Sequence, residues 1–299
     1  MKIAVLGSAA GGGFPQWNSN AEGCRRARAG DPAALPRTQA SIAVSRDGAR
    51  WFLINASPDL REQIGRRQFL HPKEGLRSSP IAGVVLTGGD VDAIAGLLTL
   101  RERQPFTLYA TARILGVLDA NPIFEVLARA VVKRQAVALD TPVLLDEGLS
   151  VELFAVPGKT PLYLEESDAP AIEISEATVA AAISDGATTV FYIPGCAAMT
   201  PDLARRLAGA ALVFFDGTMW RDDEMVEAGL GSKTGRRMGH MSLDGPEGTM
   251  AAFEGLGVRR KVLIHINNSN PVLIEDSPQR ALAAARGWEV AYDGMEMTL

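Results

Sequence analysis

An α/β fold of two mixed β-sheets packed face to face, with helices outside, is predicted by three features of this 299-residue chain. Short apolar runs such as Val262-Leu263-Ile264 and Leu212-Val213-Phe214-Phe215 read as buried strands. Helix-like stretches alternate with these runs, as in α/β proteins. Some strands nevertheless come as hairpins, which a simple parallel doubly wound sheet would lack.

Taken in chain order, Lys2–Leu6 is a buried strand that ends in Gly11-Gly12-Gly13, where the backbone can adopt angles closed to other residues. That turn also resembles the start of a dinucleotide site. The acidic ribose partner and the following helix are missing, so a structural or substrate-facing loop is preferred. Ser41–Ser45 and Trp51–Asn55 pair across Arg46-Asp47-Gly48, a hairpin turn signal. Pro58–Arg67 reads as a helix with proline in its first turn. Gly83–Leu86 is a strand and Ile94–Arg103 a helix; Thr107–Ala110 and Thr111–Leu118 repeat that order. Val143–Leu145, Val151–Val156, Thr188–Ile193 and Leu212–Asp216 are strands, with the helix Pro201–Leu207 before the last. The helix Pro246–Leu256, the strand Lys261–Ile266, the helix Pro278–Arg286 and the strand Glu289–Ala291 complete the chain. No repeat or linker divides it, so residues 1–299 are expected to form a single domain with a large core.

Composition excludes several classes. A net charge of −5 disfavours nucleic acid as the main partner. The basic run Arg25-Arg26-Ala27-Arg28 reads as a solvated face. No apolar run approaches the roughly 20 residues of a membrane span, and Lys2 precedes only a short strand rather than a secretory signal. A cytoplasmic protein without membrane insertion is expected, with homo-oligomerisation left open. Cys24 and Cys196 lie far apart and form no Cys-x-x-Cys pair, so no structural disulfide is expected.

The chemistry-bearing residues gather at strand ends. Asp92 sits between the strand Gly83–Leu86 and a helix-forming run, where it alone would read as an N-cap carboxylate. Asp216 ends a strand, where Asx turns are common. His240 lies in a glycine-flanked loop, and His265 ends the strand that leads into Asn267-Asn268-Ser269-Asn270. Of the 3 histidines, only His71 stands apart; it is read as exposed and without function.

Val84-Val85-Leu86-Thr87-Gly88-Gly89-Asp90-Val91-Asp92-Ala93-Ile94-Ala95-Gly96-Leu97 resembles the metal-binding loop of the metallo-β-lactamase superfamily, Thr-His-x-His-x-Asp-His running into a helix. Its three histidine positions are Gly88, Asp90 and Ala93; only Asp92 matches. The N-terminal run Met1–Asn18, Asn55-Ala56-Ser57-Pro58-Asp59-Leu60-Arg61, Phe215-Asp216-Gly217-Thr218-Met219-Trp220, Met238-Gly239-His240 and His265-Ile266-Asn267-Asn268-Ser269-Asn270-Pro271 together resemble the PqqB family, a branch of that superfamily active in pyrroloquinoline quinone (PQQ) synthesis. The resemblance implies a metallo-β-lactamase-like four-layer αββα sandwich.

It also implies a ligand set. The first metal of two-zinc relatives needs the early histidines and another from a mid-chain loop, matched here by Val156-Pro157-Gly158-Lys159, which has none. That site is expected to be absent. Asp92, Asp216, His240 and His265 remain for one metal, and such a mixed open set suits non-haem Fe(II). Asp90 would be an extra ligand or a catalytic proton acceptor, and His240 would serve catalysis as well as the metal. Arg77, Asn267, Asn268 and Ser269 are expected to bind substrate carboxylates. The family's Cys-x-Cys-x-x-Cys cluster reads Ser19, Ala21 and Cys24 here, so no structural zinc is expected. The implied activity is Fe(II)- and O₂-dependent hydroxylation of the tyrosine-derived ring of a cross-linked Glu–Tyr precursor. The alternative is a non-catalytic carrier that aids transport of PQQ or its precursor to the periplasm. A two-metal hydrolase comes third, because its paired metals lack their imidazoles.

Overall fold

The alternation of side chains along the central strands sets the architecture. In Leu212–Asp216, Leu212 and Phe214 face one core, while Val213 and Phe215 face another. Strands buried on both sides read as continuous apolar runs for this reason. A computed structural model describes residues 1–165 and 171–299 of the chain.

Fourteen strands among the described residues form two seven-stranded sheets. They are β1 (Lys2–Gly7), β2 (Ser41–Ser45), β3 (Trp51–Ile54), β4 (Ile81–Val85), β5 (Phe106–Ala110), β6 (Val132–Ala136), β7 (Val143–Asp146), β8 (Leu149–Gly158), β9 (Glu173–Ser184), β10 (Thr189–Ile193), β11 (Leu212–Asp216), β12 (Lys261–Ile264), β13 (Trp288–Val290) and β14 (Glu296–Thr298). The first sheet has the order β14-β1-β2-β3-β4-β5-β6 and the second β13-β12-β11-β10-β9-β8-β7. Each is antiparallel in one half and parallel in the other. In the first, β3 to β6 are parallel; in the second, β10 to β13 are. Both sheets are therefore mixed, as the hairpins required.

The larger core fills the space between the sheets and continues through the first sheet to its outer helices, taking in Ile3, Phe52, Leu53, Tyr192, Phe214 and Ile264 with Leu60, Ile114 and Leu118. A second core lies outside β8 to β13, where Leu203, Met250 and Ala283 of three helices meet Phe191, Val213 and Leu263. This is the sandwich with outer helices. Several helix starts follow local chemistry. Thr200 and Ser277 accept from the amides of Leu203 and Arg280, each with proline just inside the helix. Thr111 accepts from Ile114 in the same way.

The structure corrects several expected bounds. The helix expected over residues 58–67 is Leu60–Gly65. The one expected over 94–103 is a short α-helix, Val91–Ile94, continued as the 3₁₀ stretch Ala95–Leu100. Gly96 explains the tight packing there: a Cβ would lie 2.0 Å from the carbonyl oxygen of Ser57. The helix expected over 246–256 shrinks to Thr249–Ala252. Strands β6, β9 and β14 and the helix Glu22–Arg28 were not expected.

The sheets are stitched together at one end. Ala9 bridges to Ile266, and Gly88 to Thr178. The amide of Ala10 donates to the Ile266 carbonyl at 2.8 Å, and that of Val179 to the Thr87 carbonyl at 2.9 Å. These joins draw the loops after β1, β4, β8, β11 and β12 to one edge.

Candidate metal centre and its cavity

Four elements deliver the candidate ligating side chains. Asp216 is the last residue of β11 and is fully buried. His265 follows β12 with φ of +58°, a left-handed conformation that costs a non-glycine residue about 1–3 kcal/mol and needs local contacts to hold it. Asp92 lies in the first turn of Val91–Ile94, whose N-cap is Asp90, not Asp92, and Asp90 makes no side-chain cap bond. His240 follows Gly239, which ends the helix Gly235–Met238 at φ +88°. A side chain at Gly239 would be strained at that angle and would press on Lys159 at 3.3 Å.

The four side chains meet. His240 Nδ1 lies 2.7 Å from Asp216 Oδ2, and His265 Nε2 lies 2.8 Å from Asp92 Oδ2. The two imidazoles stack at 5.3 Å between ring centres. Asp216, His240 and His265 each place one donor atom within 4.8 Å of the others. Thr218, which the sequence reading missed, ties them together. Its hydroxyl oxygen lies 2.6 Å from Asp216 Oδ1, 2.8 Å from His265 Nδ1 and 2.8 Å from the His265 carbonyl oxygen. A hydroxyl has one proton to give. It donates that proton to one of its three neighbours, and its contact with His265 Nδ1 turns Nε2 toward Asp92, where Nε2–H donates to the carboxylate. The amides of Cys196 and Thr218 also donate to Asp216, each at 3.0 Å.

Electrostatics follow this geometry. Burial works against the charged forms of Asp92 and Asp216. The His265 bond to Asp92, and the charge and hydrogen bond of His240 at Asp216, outweigh it and hold both carboxyls below the usual range. Burial also opposes charge on His265, but the Asp92 bond and nearby carboxylates raise its pKa. Asp90 is pushed up to about 6 by burial and by the charge of Asp92. Asp90, Asp92, His240 and His265 at the cavity floor, with Asp216 buried against His240, fit a cation, because protons now hold together acid–imidazole pairs that a metal ion would join. Two imidazoles and a carboxylate are a donor set found in mononuclear non-haem iron centres.

The site floors a cavity of about 870 Å³. Ala10, Gly11, Gly12 and Gln16 line it, which puts the glycine turn at the site. Lys159, immediately after β8, lines it too, with Tyr163, Lys233 and Arg237. The loop expected to lack a histidine therefore supplies a lysine. Neither that lysine nor the two other cations emerged from the sequence, since nothing local marks them.

The sequence of the site and its frame can now be matched to known proteins. A family model described as "Beta-lactamase superfamily domain" matches residues 50–266. "Coenzyme PQQ synthesis protein B" of Gluconacetobacter diazotrophicus is 62% identical over 303 residues, 99% of each chain. Its namesake from Methylorubrum populi is 55% identical over 299 residues, 100% of each. The chain belongs to the coenzyme PQQ synthesis protein B family. A solved structure described as Zn(2+)-bound PqqB from Methylobacterium extorquens is similar over 100% of both chains, with a TM-score of 0.98 at 54% identity. A diphosphatase of the PhnP family, at TM-score 0.70 and 21% identity, shares the fold alone.

The other expected site residues separate. Asn267 lines the cavity. Asn268 is buried and bonds Gln16 and Asn267, and Ser269 donates to Glu224 at 2.6 Å. Arg77 is exposed, 3.9 Å from Glu102, in the segment before β4, whereas the ligand loop follows β4. It is at the wrong end of that strand for the cavity. His71, expected to be exposed, is half-buried; its Nε2 lies 3.1 Å from the Ile64 carbonyl at a helix end. At the N-terminal loop, Cys24 Sγ is buried 3.6 Å from Asn268 Oδ1, and Ser19 Oγ accepts from the Ala21 amide at 3.3 Å. Arg28 clamps the loop by bonding the Ser19 and Gln16 carbonyls. One thiol does not fit a structural zinc, which takes four protein ligands. Among the described residues, no helix is long and apolar enough to cross a membrane.

Proposed function

We propose that this chain serves PQQ synthesis by hydroxylating the tyrosine-derived ring of the cross-linked Glu–Tyr precursor, with Fe(II) and O₂. The observation that carries this reading is the meeting of buried Asp216 with His240 and His265, which line a ring-sized cavity together with Asp92 on His265. Asp216, His240, His265 and Asp92 would hold the iron, whose part is to bring oxygen chemistry to the ring.

The chain's own groups do the rest. Thr218 fixes the direction of His265, and Asp216 is held by two backbone amides. Asp90, raised to about 6, is poised to take a proton from a ring hydroxyl near neutral pH and return it. Asn267 offers an amide to the bound precursor. Placement of ring and oxygen against each other is the main contribution expected of the protein. Zinc belongs to the solved relative; iron is our assignment from donor type. A two-metal hydrolase is disfavoured because Gly88 and Asp90 replace the two early histidines and the matching mid-chain loop, Val156-Pro157-Gly158-Lys159, has none.

The test is anaerobic loading with Fe(II), followed by oxygen-uptake measurement with and without the cross-linked precursor. Uptake that depends on precursor, with oxygen gained on the ring by mass spectrometry, supports hydroxylation. Stoichiometric precursor binding without uptake transfers the function to the carrier reading. The observation favouring that second reading is Ala93, which lines the cavity where relatives of the superfamily place an imidazole.

A further inference from the structure

The cavity is electrically two-sided. Its floor carries Asp90, Asp92, His240 and His265. Another part of the lining, formed by the chain just after β8 and around the helix Gly235–Met238, carries Lys159, Lys233 and Arg237. Among the described residues, the carboxylate directly paired to these cations is Glu165. Its Oε1 lies 2.7 Å from Lys159 Nζ, and its Oε2 2.9 Å from Arg237 Nη2. These bonds, led by Arg237, hold Glu165 down to about 2 against its burial, so it stays charged and fixes both cations in place. Lys159 is only 12% exposed and packs against Gly239, the residue before His240. Its charge is also felt at Asp90. A pre-set cation thus stands beside the acidic floor.

We propose that Lys159, with Lys233 and Arg237, forms a carboxylate-reading wall that selects an aromatic polycarboxylate and turns its ring toward the metal ligands. This deepens the PQQ-synthesis reading and rests on it. Three arguments support the ligand class. The volume of about 870 Å³ suits a multi-ring molecule. The rest of the lining includes Val91, Leu162, Met225 and Met238, apolar groups that pack on ring faces. Guanidinium and ammonium donors bind carboxylates strongly when partly shielded from water, whereas the acidic floor repels them, so the ligand has one favourable orientation. No metal is needed for this selection.

The experiment uses the full chain and two probes, PQQ itself, a tricarboxylate, and its trimethyl ester, with affinity read by titration calorimetry. The wild-type protein should bind PQQ at least about 10-fold more tightly than the ester, and added salt should weaken PQQ binding alone. Lys159→Gln should weaken PQQ binding about 10-fold or more and bring it close to that of the ester. Lys233→Gln, which leaves the Glu165 pairs intact, should weaken it in the same direction, which guards against a folding defect at Lys159. Equal binding of PQQ and ester by the wild-type protein, or unchanged PQQ affinity in both variants, overturns the wall. Failure of the wild-type protein to bind either probe also overturns the wall, whereas the underlying reading fails only if the cross-linked precursor neither binds nor drives oxygen uptake, so the two failures are distinguishable.

Discussion

Replacing Thr218 with valine keeps the shape of the side chain and removes the hydroxyl at the centre of the metal site. The Asp216 carboxylate loses a 2.6 Å bond but keeps the Thr218 amide at 3.0 Å. His265 Nδ1 loses its partner at 2.8 Å, while the His265 carbonyl oxygen at 2.8 Å loses no hydrogen bond when the single hydroxyl proton points to Asp216. Leaving a buried polar group unpaired costs about 1–3 kcal/mol, so Nδ1 alone predicts a stability loss of that size, allowing for partial rescue by water. The metal effect is separate. Groups that orient ligating histidines are worth about 10- to 100-fold in metal affinity, and here the ring also depends on its left-handed backbone being held. We expect Thr218→Val to weaken Fe(II) or Zn(II) binding by about 10- to 100-fold in chelator competition, with the lost stability read by urea unfolding. Thr218→Ser should recover most of the affinity because it restores the hydroxyl. A valine variant with wild-type metal affinity, beside a His265→Ala variant that retains no metal, would refute the assignment of Thr218 as the group that positions His265.

Three other outcomes follow from the site. Metal-free stability should fall as pH rises from about 4 to about 6, where buried Asp90 loses its proton, and fall again above about 6.5 as His265 loses its own: both have raised folded pKa values, so what they contribute is full below their unfolded values, about 4 and 6.5, and is lost above the folded ones. Asp92 and Asp216 act in the opposite sense, but only as pH drops below about 4; thermal melts in chelator across pH check both signs, and a flat profile counts against the acid–imidazole pairs. Ala93→His should tighten metal binding about 10-fold or more by analogy with orienting groups, read by chelator competition; unchanged affinity would mean the new imidazole does not reach the metal. Ser19→Cys with Ala21→Cys should create zinc uptake beside Cys24 while leaving the far cavity intact, checked by metal analysis with and without the Cys24→Ala change.

How much of this was legible in the sequence depended on range. Strands buried on both faces, such as β4, β10, β11 and β12, stood out because they are short and apolar throughout. β9 was missed because Ala-rich sequence with two glutamates has little strand propensity. Its alanines fit where two cores press on both faces of the sheet, Ala181 facing one and Ala180 and Ala182 the other. β6 and β14 were hidden because they are edge strands, where charge serves to block further pairing. At the site, Asp92, Asp216, His240 and His265 could be named because each ends an element or follows one in a motif. Arg77 was misplaced because only residue type supported it. Thr218 carries no local mark, since the two histidines it touches lie 22 and 47 positions away, and Lys159 gains its role only from the cavity that the fold builds around it.

The substitutions within the ligand loop gain a physical sense when seen beside Lys159. A two-metal centre places two strong cations against its carboxylates. Here Gly88 and Asp90 offer no imidazole, so the floor holds more negative charge and fewer neutral donors. Without compensation such a floor would repel an anionic ligand as well as stay partly protonated. Lys159 supplies fixed positive charge from the very loop in which the missing imidazole would stand, and Glu165 keeps it extended beside the floor. A protein ammonium can attract a carboxylate but cannot polarise water as a second metal does. On the proposed reading, the arrangement would give up hydrolytic chemistry while keeping a cation where an anionic substrate would dock. On this account Lys159→His would not restore a first metal site by itself, because Gly88 and Asp90 still lack imidazoles, and it should lose ligand affinity without gaining a second equivalent of zinc. A variant that takes up two zinc ions per chain would show that the scaffold, rather than the ligand count, was holding the first site ready.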